Sequence, residues 1–451
     1  MSLCVDVALL SGKSVQITVS GDCTLDEFRL KVQAALQTGR GMVVNAAGEV
    51  LCGEATLEQS GVKTGDLLTL HVRPISLAAS GGAFAAIVGD ASVVTWGAPM
   101  CGGYSSSVKD QLKNVQHVQA SERAFAAIVG GGRVVAWGDE FAGGDISSVQ
   151  EQLGNVWRIQ ATASAFAAIL DDRSVVTWGD ERYGGDSRFV QQQLQDVQQI
   201  QATKTAFAAI LADGCVVTWG WPDNGGDSHL VQGQLKKVQC IQANGAAFAA
   251  ILEDRSVVTW GAPRDGGDSS SVREQLKNVE QIQGSGGAFA AILGDGSVVA
   301  WGRAEDGGDC SSVQDQLKNV QQMQATRGAF AAILVDGSVV TWGDGRHGGD
   351  SSSVQEQLMN VQQIQATKQA FVAILGDRSV VTWGDADQGG ESSSVKDQLK
   401  NLGWFFWIVF LVYKGPYTLH PTPYTLHSTP YTLHPTPYTL HPTPYTLHPK
   451  P

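Results

Sequence analysis

The sequence predicts a mainly β fold: a β-propeller of eight short 41-residue repeats, preceded by a small α+β domain. Three observations carry this. Trp-Gly pairs begin at Trp96, Trp137, Trp178, Trp219, Trp260, Trp301, Trp342 and Trp383, each 41 residues after the last. Phe84, Phe125, Phe166, Phe207, Phe248, Phe289, Phe330 and Phe371 keep the same step. Glycine is abundant, 53 of 451 residues, as an array of short strands and tight turns requires.

Residues 1–73 precede the repeats and have a different grammar. Val5–Leu9 and Val15–Val19 are two strands around the turn at Leu10-Ser11-Gly12-Lys13. Thr24 with Glu27 three residues later has capping-box spacing, so a helix begins there, and Leu25, Phe28, Leu30, Val32 and Leu36 supply its apolar face. Met42-Val43-Val44, a turn at Gly48 and the strand Leu68–Val72 complete a ββαββ order.

The repeats span 75–402. In the unit Val320–Asn360, VQQMQA is a first strand, AFAAIL a second and SVVTWG a third. Asp336-Gly337 between the last two is a hairpin signal, because glycine tolerates positive φ. The second and third strands are apolar without clean alternation, as expected of sheets covered on both faces. The alanines of AFAAIL let neighbouring sheets approach while Phe fills the gap. After Trp-Gly come four variable residues, then Gly-Gly-Asp and SSSVQEQL. Ser353 and Glu356 have capping-box spacing, and Val354, Leu358 and Val361 fall at helical spacing, so a short helix or a 3₁₀ turn crosses to the next unit.

Residues 403–451 break the repeat. Trp404–Tyr413 is an apolar run of ten residues. As a helix it would reach only about 15 Å, half of a bilayer core, so no membrane span is expected. PYTLHPT then recurs every seven residues, and its regular prolines predict extended, unpacked chain. The DNA repeat CCCTACA encodes this heptapeptide in any single frame, so the tail reads as translated simple-sequence DNA. Its histidines, His420 to His448, need not converge on a metal.

Two resemblances follow from these residues. The N-terminal order, with SGVKTGDLLTLHV near its end, resembles ubiquitin-like (β-grasp) domains. That resemblance implies an apolar recognition surface at Leu10, Val44 and His71, the last a polar departure. Arg73-Pro74-Ile75 runs on into the repeats, so no free Gly-Gly end is available for conjugation. The repeats resemble those of the regulator of chromosome condensation family, whose L-x-x-D-G-x-V-x-x-W-G run is matched by Leu293, Asp295, Gly296, Val298, Trp301 and Gly302. Phe replaces the histidine usual in the second strand, and Gly-Gly-Asp replaces the usual Gly-Gln-Leu-Gly turn. Eight units exceed the usual seven blades, which leaves an eight-bladed ring, a seven-bladed ring with one unit over, or an open array.

Composition narrows function. A formal net charge of −13 argues against nucleic acid as a general partner. Seven cysteines, none in a Cys-x-x-Cys pair, point to a reduced compartment, the cytoplasm with the nucleus as alternative. No phosphate loop, zinc-protease motif or nucleophile elbow occurs, and His117, His229 and His347 lie in different units, so no enzymatic activity and no cofactor are expected. Asp145, Asp186, Asp227, Asp268, Asp309, Asp350 and Glu391 recur after Gly-Gly. They form either a carboxylate ring for cations or a basic partner, or a column of local turn supports, and identical repetition favours the latter.

The reading is therefore a non-catalytic scaffold or adaptor for protein partners, with a link to ubiquitin-pathway proteins through the N-terminal domain. The alternatives are a relative of HECT-type ubiquitin ligases lacking its catalytic domain and a guanine-nucleotide exchange factor, against which the absence of any long insertion counts. In a three-strand meander the loops after the first and third strands emerge at one end. Both vary between units, which makes that end the expected binding face, with Phe141, Tyr183, Trp221, Arg264 and Arg346 as anchors.

Overall fold

The computed structural model describes residues 2–36, 38–53, 55–72 and 75–392, all within one compact unit. The apolar run, the heptapeptide tail, the end of the eighth repeat at 393–402 and the link at Arg73-Pro74 lie outside the described residues.

The N-terminal part is a mixed sheet with one helix. Its elements are β1 (Ser2–Leu9), β2 (Ser14–Ser20), α1 (Leu25–Leu36), β3 (Met42–Val44), β4 (Val50–Leu51) and β5 (Leu67–His71). The sheet order is β2-β1-β5-β3-β4, with β1 and β5 parallel and the other pairs antiparallel. The expected ββαββ order gains one short strand, because the Gly48 turn folds Val50–Leu51 back on β3. The capping box forms: the Glu27 amide donates to Thr24 Oγ1 and the Thr24 amide to the Glu27 carboxylate. Leu25, Phe28, Val32 and Leu36 enter a core with Val5, Val7, Leu57, Leu68 and Leu70. Leu30 does not. Two residues from Phe28 turn it about 200° round the helix, and it faces solvent.

The repeats form eight three-stranded antiparallel sheets, numbered here as units 1 to 8. In unit 4 the strands are Val197–Ala202, Ala206–Leu211 and Val216–Gly220, and the 41-residue step carries this pattern along the array. The hairpin turn is built by aspartate. Asp336 Oδ1 accepts from the Ser338 amide, and Gly337 takes φ +79°. In units 3, 5 and 8 arginine stands in the glycine position, and Arg173, Arg255 and Arg378 take φ of +68°, +63° and +70°. The same aspartate bond is kept there, so the carboxylate holds the turn where glycine's freedom is missing.

Adjacent units meet face to face. The face of unit 3 made by Ala165, Ala167, Ile169 and Val175 packs against Val197, Ile200, Phe207, Val217 and Trp219 of unit 4. Within each unit Phe and Trp stack at 5.1–5.4 Å between ring centroids. Across each seam the indole donates to a glycine carbonyl of the preceding unit at 3.0–3.1 Å: Trp137 to Gly102, Trp178 to Gly143, Trp219 to Gly184, Trp260 to Gly225, Trp301 to Gly266, Trp342 to Gly307 and Trp383 to Gly348. Those glycines adopt φ of +85° to +97°, and a Cβ on any of them would stand 2.5–2.7 Å from the Phe ring of the next unit. Glycine is required twice over, by backbone and by space.

A short 3₁₀ turn crosses between units, as expected, but Ser353 and Glu356 do not form a capping box. The turn Gln355–Gln357 starts after Val354 with no side-chain cap. Gln355 anchors it instead, accepting from Ser351 Oγ and donating to the Val339 carbonyl. Leu358 behind it is fully buried in the seam.

Among the described residues the array does not close into a ring. Trp137 to Trp383 are 2–4% exposed, whereas Trp96 of unit 1 is 45% exposed. Gly389 of unit 8 has the seam conformation, φ +102°, and no aromatic ring of a described residue lies within 4 Å of a Cβ built on it. Of the ring and open arrangements the sequence leaves open, the described residues show eight sheets with seven seams. Replacing Trp219 with Phe keeps the stack but strands the Gly184 carbonyl. That variant should lose about 1–3 kcal/mol in denaturant unfolding. An unchanged midpoint would show that the indole bond is dispensable.

Candidate interaction face

The loop after each first strand is fixed by one side chain at its start. Ser80, Ser121, Thr162, Thr203, Ser285, Thr326 and Thr367 each donate their hydroxyl to a carbonyl in the loop after the third strand, 21 residues on: Cys101, Ala142, Tyr183, Asn224, Asp306, His347 and Gln388. Asn244 does the same in unit 5 with its amide, to Asp265. The same side-chain oxygen caps the start of the middle strand, as Thr203 Oγ1 does for the Ala206 amide at 3.0 Å. The two variable loops of each unit are therefore clamped together at one end of its sheet, as the meander argument expects.

A second ladder runs between units on this end. The amides of Gly81, Glu122, Ala163, Lys204, Gly245, Gly286 and Arg327 donate to the carbonyls of Glu122, Ala163, Lys204, Gly245, Gly286, Arg327 and Lys368, at 2.6–3.2 Å. Every step is 41 residues. Lys204 on this ladder is half-buried, and burial together with the charge of Arg327 lowers its pKa, with Glu122, Lys368 and Asp265 acting on it as well.

The expected anchors fare differently. Phe141 is 76% exposed in a 3₁₀ turn held by Asp139, and Trp221 is 45% exposed two units on, at the position Asp139 holds just before that turn. Tyr183 is not a free anchor: its ring is half-buried and packs against the seam of units 3 and 4. Arg264 is exposed on a cleft of about 590 Å³ shared with Arg303, Asp268, Ser271 and Glu305. Arg303 there is bonded to Asp265, so the cleft is not uniformly basic. Arg346 is exposed but tied to Asp344 by two side-chain bonds, which hold the Asp344 carboxyl at about 2. On the N-terminal sheet, Val44 and His71 lie on the open face, opposite the buried Val43 and Leu70, and Leu10, 81% exposed, sits at the adjoining turn.

The acidic column supports local turns. Asp145, Asp186, Asp227, Asp268, Asp309 and Asp350 each accept from the amide two residues on, at 2.9 Å. No group of three or more His, Cys, Asp or Glu side chains suited to a metal occurs among the described residues. No helix among them is long and apolar enough to cross a membrane.

Comparison with known proteins adds likenesses of fold. No family model and no curated protein matches the chain. The chain is similar to the crinkly WD40 ectodomain of the Arabidopsis thaliana receptor kinase ACR4, at 16% identity and a TM-score of 0.37, over 61% of this chain and 98% of that one. It is similar to Prp20p of Saccharomyces cerevisiae at 14% identity and a TM-score of 0.37, over 61% and 82%. A designed protein based on ubiquitin matches 15% of this chain and 85% of its own length, at 24% identity and a TM-score of 0.15. At these scores none of the three decides anything that follows.

Two measurements check this geometry. Arg346→Ala should let the Asp344 carboxyl rise toward the ordinary carboxylate range, seen by NMR titration. Because its folded value is depressed, the pair's small stabilisation is present above the unfolded carboxylate range and is lost as pH falls through about 2. Burial pushes the Cys240 thiol up to about 11, so at pH 8 iodoacetamide should modify exposed Cys52 well before Cys240, read by peptide mass spectrometry. Equal rates would mean that the first strand of unit 5 is open to solvent.

Proposed function

We propose that the repeat array is a non-catalytic protein-interaction scaffold that presents its clamped loop face to a protein partner. The observation that carries this is the hydroxyl clamp. A bond repeated from unit to unit holds variable loops at one end of a rigid stack, and the residues at the loop tips, Phe141 and Trp221 among them, are large, exposed and free of any shared structural task. Rigid presentation lowers the ordering cost of association, and exposed aromatics are the side chains that contribute most to protein contacts. The N-terminal sheet adds a second surface. Leu10, Val44 and His71 on its open side support a contact with ubiquitin-pathway proteins.

The test is quantitative capture from cell extract by the full chain and by variants. Phe141→Ala with Trp221→Ala should weaken retention of the specific partner by about 30-fold or more, as loss of roughly 2 kcal/mol implies. Tyr183→Ala should instead lower thermal stability, because its ring packs into a seam. Capture that survives the double change but fails when the Asp336-Gly337 turn is altered would put the binding face at the opposite end. Leu10→Ala with Val44→Ala should remove only those partners that a ubiquitin competitor also displaces.

A further inference from the structure

The repeat lets a residue be placed from its counterpart in another unit. The cleft between units 5 and 6 is lined by Pro263, Arg264, Asp268 and Ser271 of one unit and by Arg303 and Glu305 of the next. Two repeats earlier the same positions are held by Glu181, Arg182, Asp186 and Phe189 of unit 3 and by Trp221 and Asp223 of unit 4. The backbones match. Ala262 and Asp180 enter their 3₁₀ turns with φ, ψ of −63°, 116° and −66°, 123°. Arg303 and Trp221 enter theirs with −70°, 119° and −67°, 118°. Asp268 and Asp186 each accept from the amide two residues on at 2.9 Å, which starts the crossover in the same way. Phe189 and Trp221 therefore flank the cleft between units 3 and 4.

Phe189 departs from its column. Ser107, Ser148, Ser271, Ser312 and Ser353 hold its position in units 1, 2, 5, 6 and 7, and Leu230 holds it in unit 4. Phe189 is 95% exposed and Leu230 85% exposed. Neither is needed to fill a seam, because Val190 and Leu194 pack into that of units 3 and 4, and Val231 and Leu235 into that of units 4 and 5. A ring in water at a position where serine serves five other units has no structural task there, and such apolar exposure marks a contact surface. Trp221 across the cleft stands where units 1 and 5 carry Ala98 and Ala262. The charges around the cleft do not cancel. Arg182 and Arg188 are held by side-chain bonds to Asp180 and Asp186. Glu181 and Asp223 are exposed and form no ion pair among the described residues, although the charge of Glu181 reaches Arg188. Two arginines thus meet four carboxylates, and the rim of an apolar cleft is net acidic.

We propose that this cleft takes an extended basic segment of a partner protein, with one aromatic or long aliphatic side chain seated between Phe189 and Trp221 and a lysine or arginine on each side of it. The inference rests on the loop face being the interaction surface, and it names the chemistry that this part of the face selects. An apolar anchor between the two rings removes all three from water. Its basic neighbours meet Glu181 on the unit 3 side and Asp223 on the unit 4 side. A cation beside Trp221 also gains from the face of the indole. An acidic segment would find both arginines already bonded and the two remaining carboxylates repelling it.

The experiment is fluorescence anisotropy on the full chain with three fluorescein-labelled peptides, Lys-Lys-Trp-Lys-Lys, Lys-Lys-Gly-Lys-Lys and Glu-Glu-Trp-Glu-Glu. The first should bind saturably and about tenfold or more tightly than either of the others. Phe189→Ser and Trp221→Ala install residues that other units carry at those positions, so the sheets should persist, as circular dichroism checks. Each should weaken binding of the first peptide by about tenfold. Glu181→Ala with Asp223→Arg should weaken it as much and flatten its loss of affinity with rising salt. Ser312→Ala, in the same column of unit 6, should change nothing. The proposal is overturned if the first peptide does not bind, if either of the other two binds as tightly, or if Phe189→Ser has no effect. Any of these results, with capture from extract that still depends on Phe141 and Trp221, would remove this cleft and leave the wider interaction face standing. Loss of that dependence as well would remove both.

Discussion

The structure depends on one contact, the seam in which an indole N–H of one unit meets a glycine carbonyl of the unit before it. A three-stranded sheet of five- or six-residue strands cannot bury both faces by itself. It is stable only when stacked, and what sets the stacking distance is the Phe ring lying over a residue with no side chain. The indole bond fixes the lateral register, since sliding one sheet over the next by one residue would leave both the N–H and the carbonyl buried without a partner. Everything else in the unit serves this geometry. Alanines keep the opposing face flat, aspartate holds the hairpin, and glutamine pins the crossover so that leucine plugs the seam.

Much of this was legible in the sequence because the repeat makes each requirement visible eight times. Phe, Trp and Gly columns with a constant step cannot be surface choices, and three strands per unit follow from the apolar runs between turn residues. The limits are equally physical. Ser353 and Glu356 have the spacing of a capping box, but a single 3₁₀ turn has too few free amides for one, and Gln355 takes the anchoring role. Leu30 is apolar yet turned away from the core by helical period. Tyr183 varies between units like a surface residue, although its ring lies against a seam. Whether a variable position is outside or merely tolerant depends on the third dimension, and one sequence does not carry that. The ladder that brings Lys204, Arg327 and Lys368 onto one line was invisible for a related reason: it is made of backbone bonds between units, which no side chain announces.

The same logic separates stability from recognition. The seam admits almost no variation, because a Cβ at any of its glycines strikes an aromatic ring. The clamp tolerates serine, threonine or asparagine, since each offers a donor to the third-strand loop and an acceptor to the middle strand. Beyond the clamp the loops share backbone bonds but no side-chain bond common to every unit, and there the units diverge into Phe141, Trp221, Arg264 and Arg346. A protein made of copies can acquire a specific surface only at positions released from the copying constraint, and in this chain those positions lie together at one end of the sheets.

Stacking of this kind makes stability nearly one-dimensional, a sum of unit terms and neighbour terms. An interior unit has two seams and a terminal unit has one, so the ends are the least stable parts whatever their sequence. In unit 1, Val94 and Trp96 are 40% and 45% exposed, and its first strand, Ser76–Ala79, is shorter than the six residues found in units 3 to 8. The N-terminal domain reaches this unit at its hairpin turn, through Arg29 to Asp90 and Arg40 to Ser92, and those two contacts brace the turn of a unit at the end of the stack against fraying.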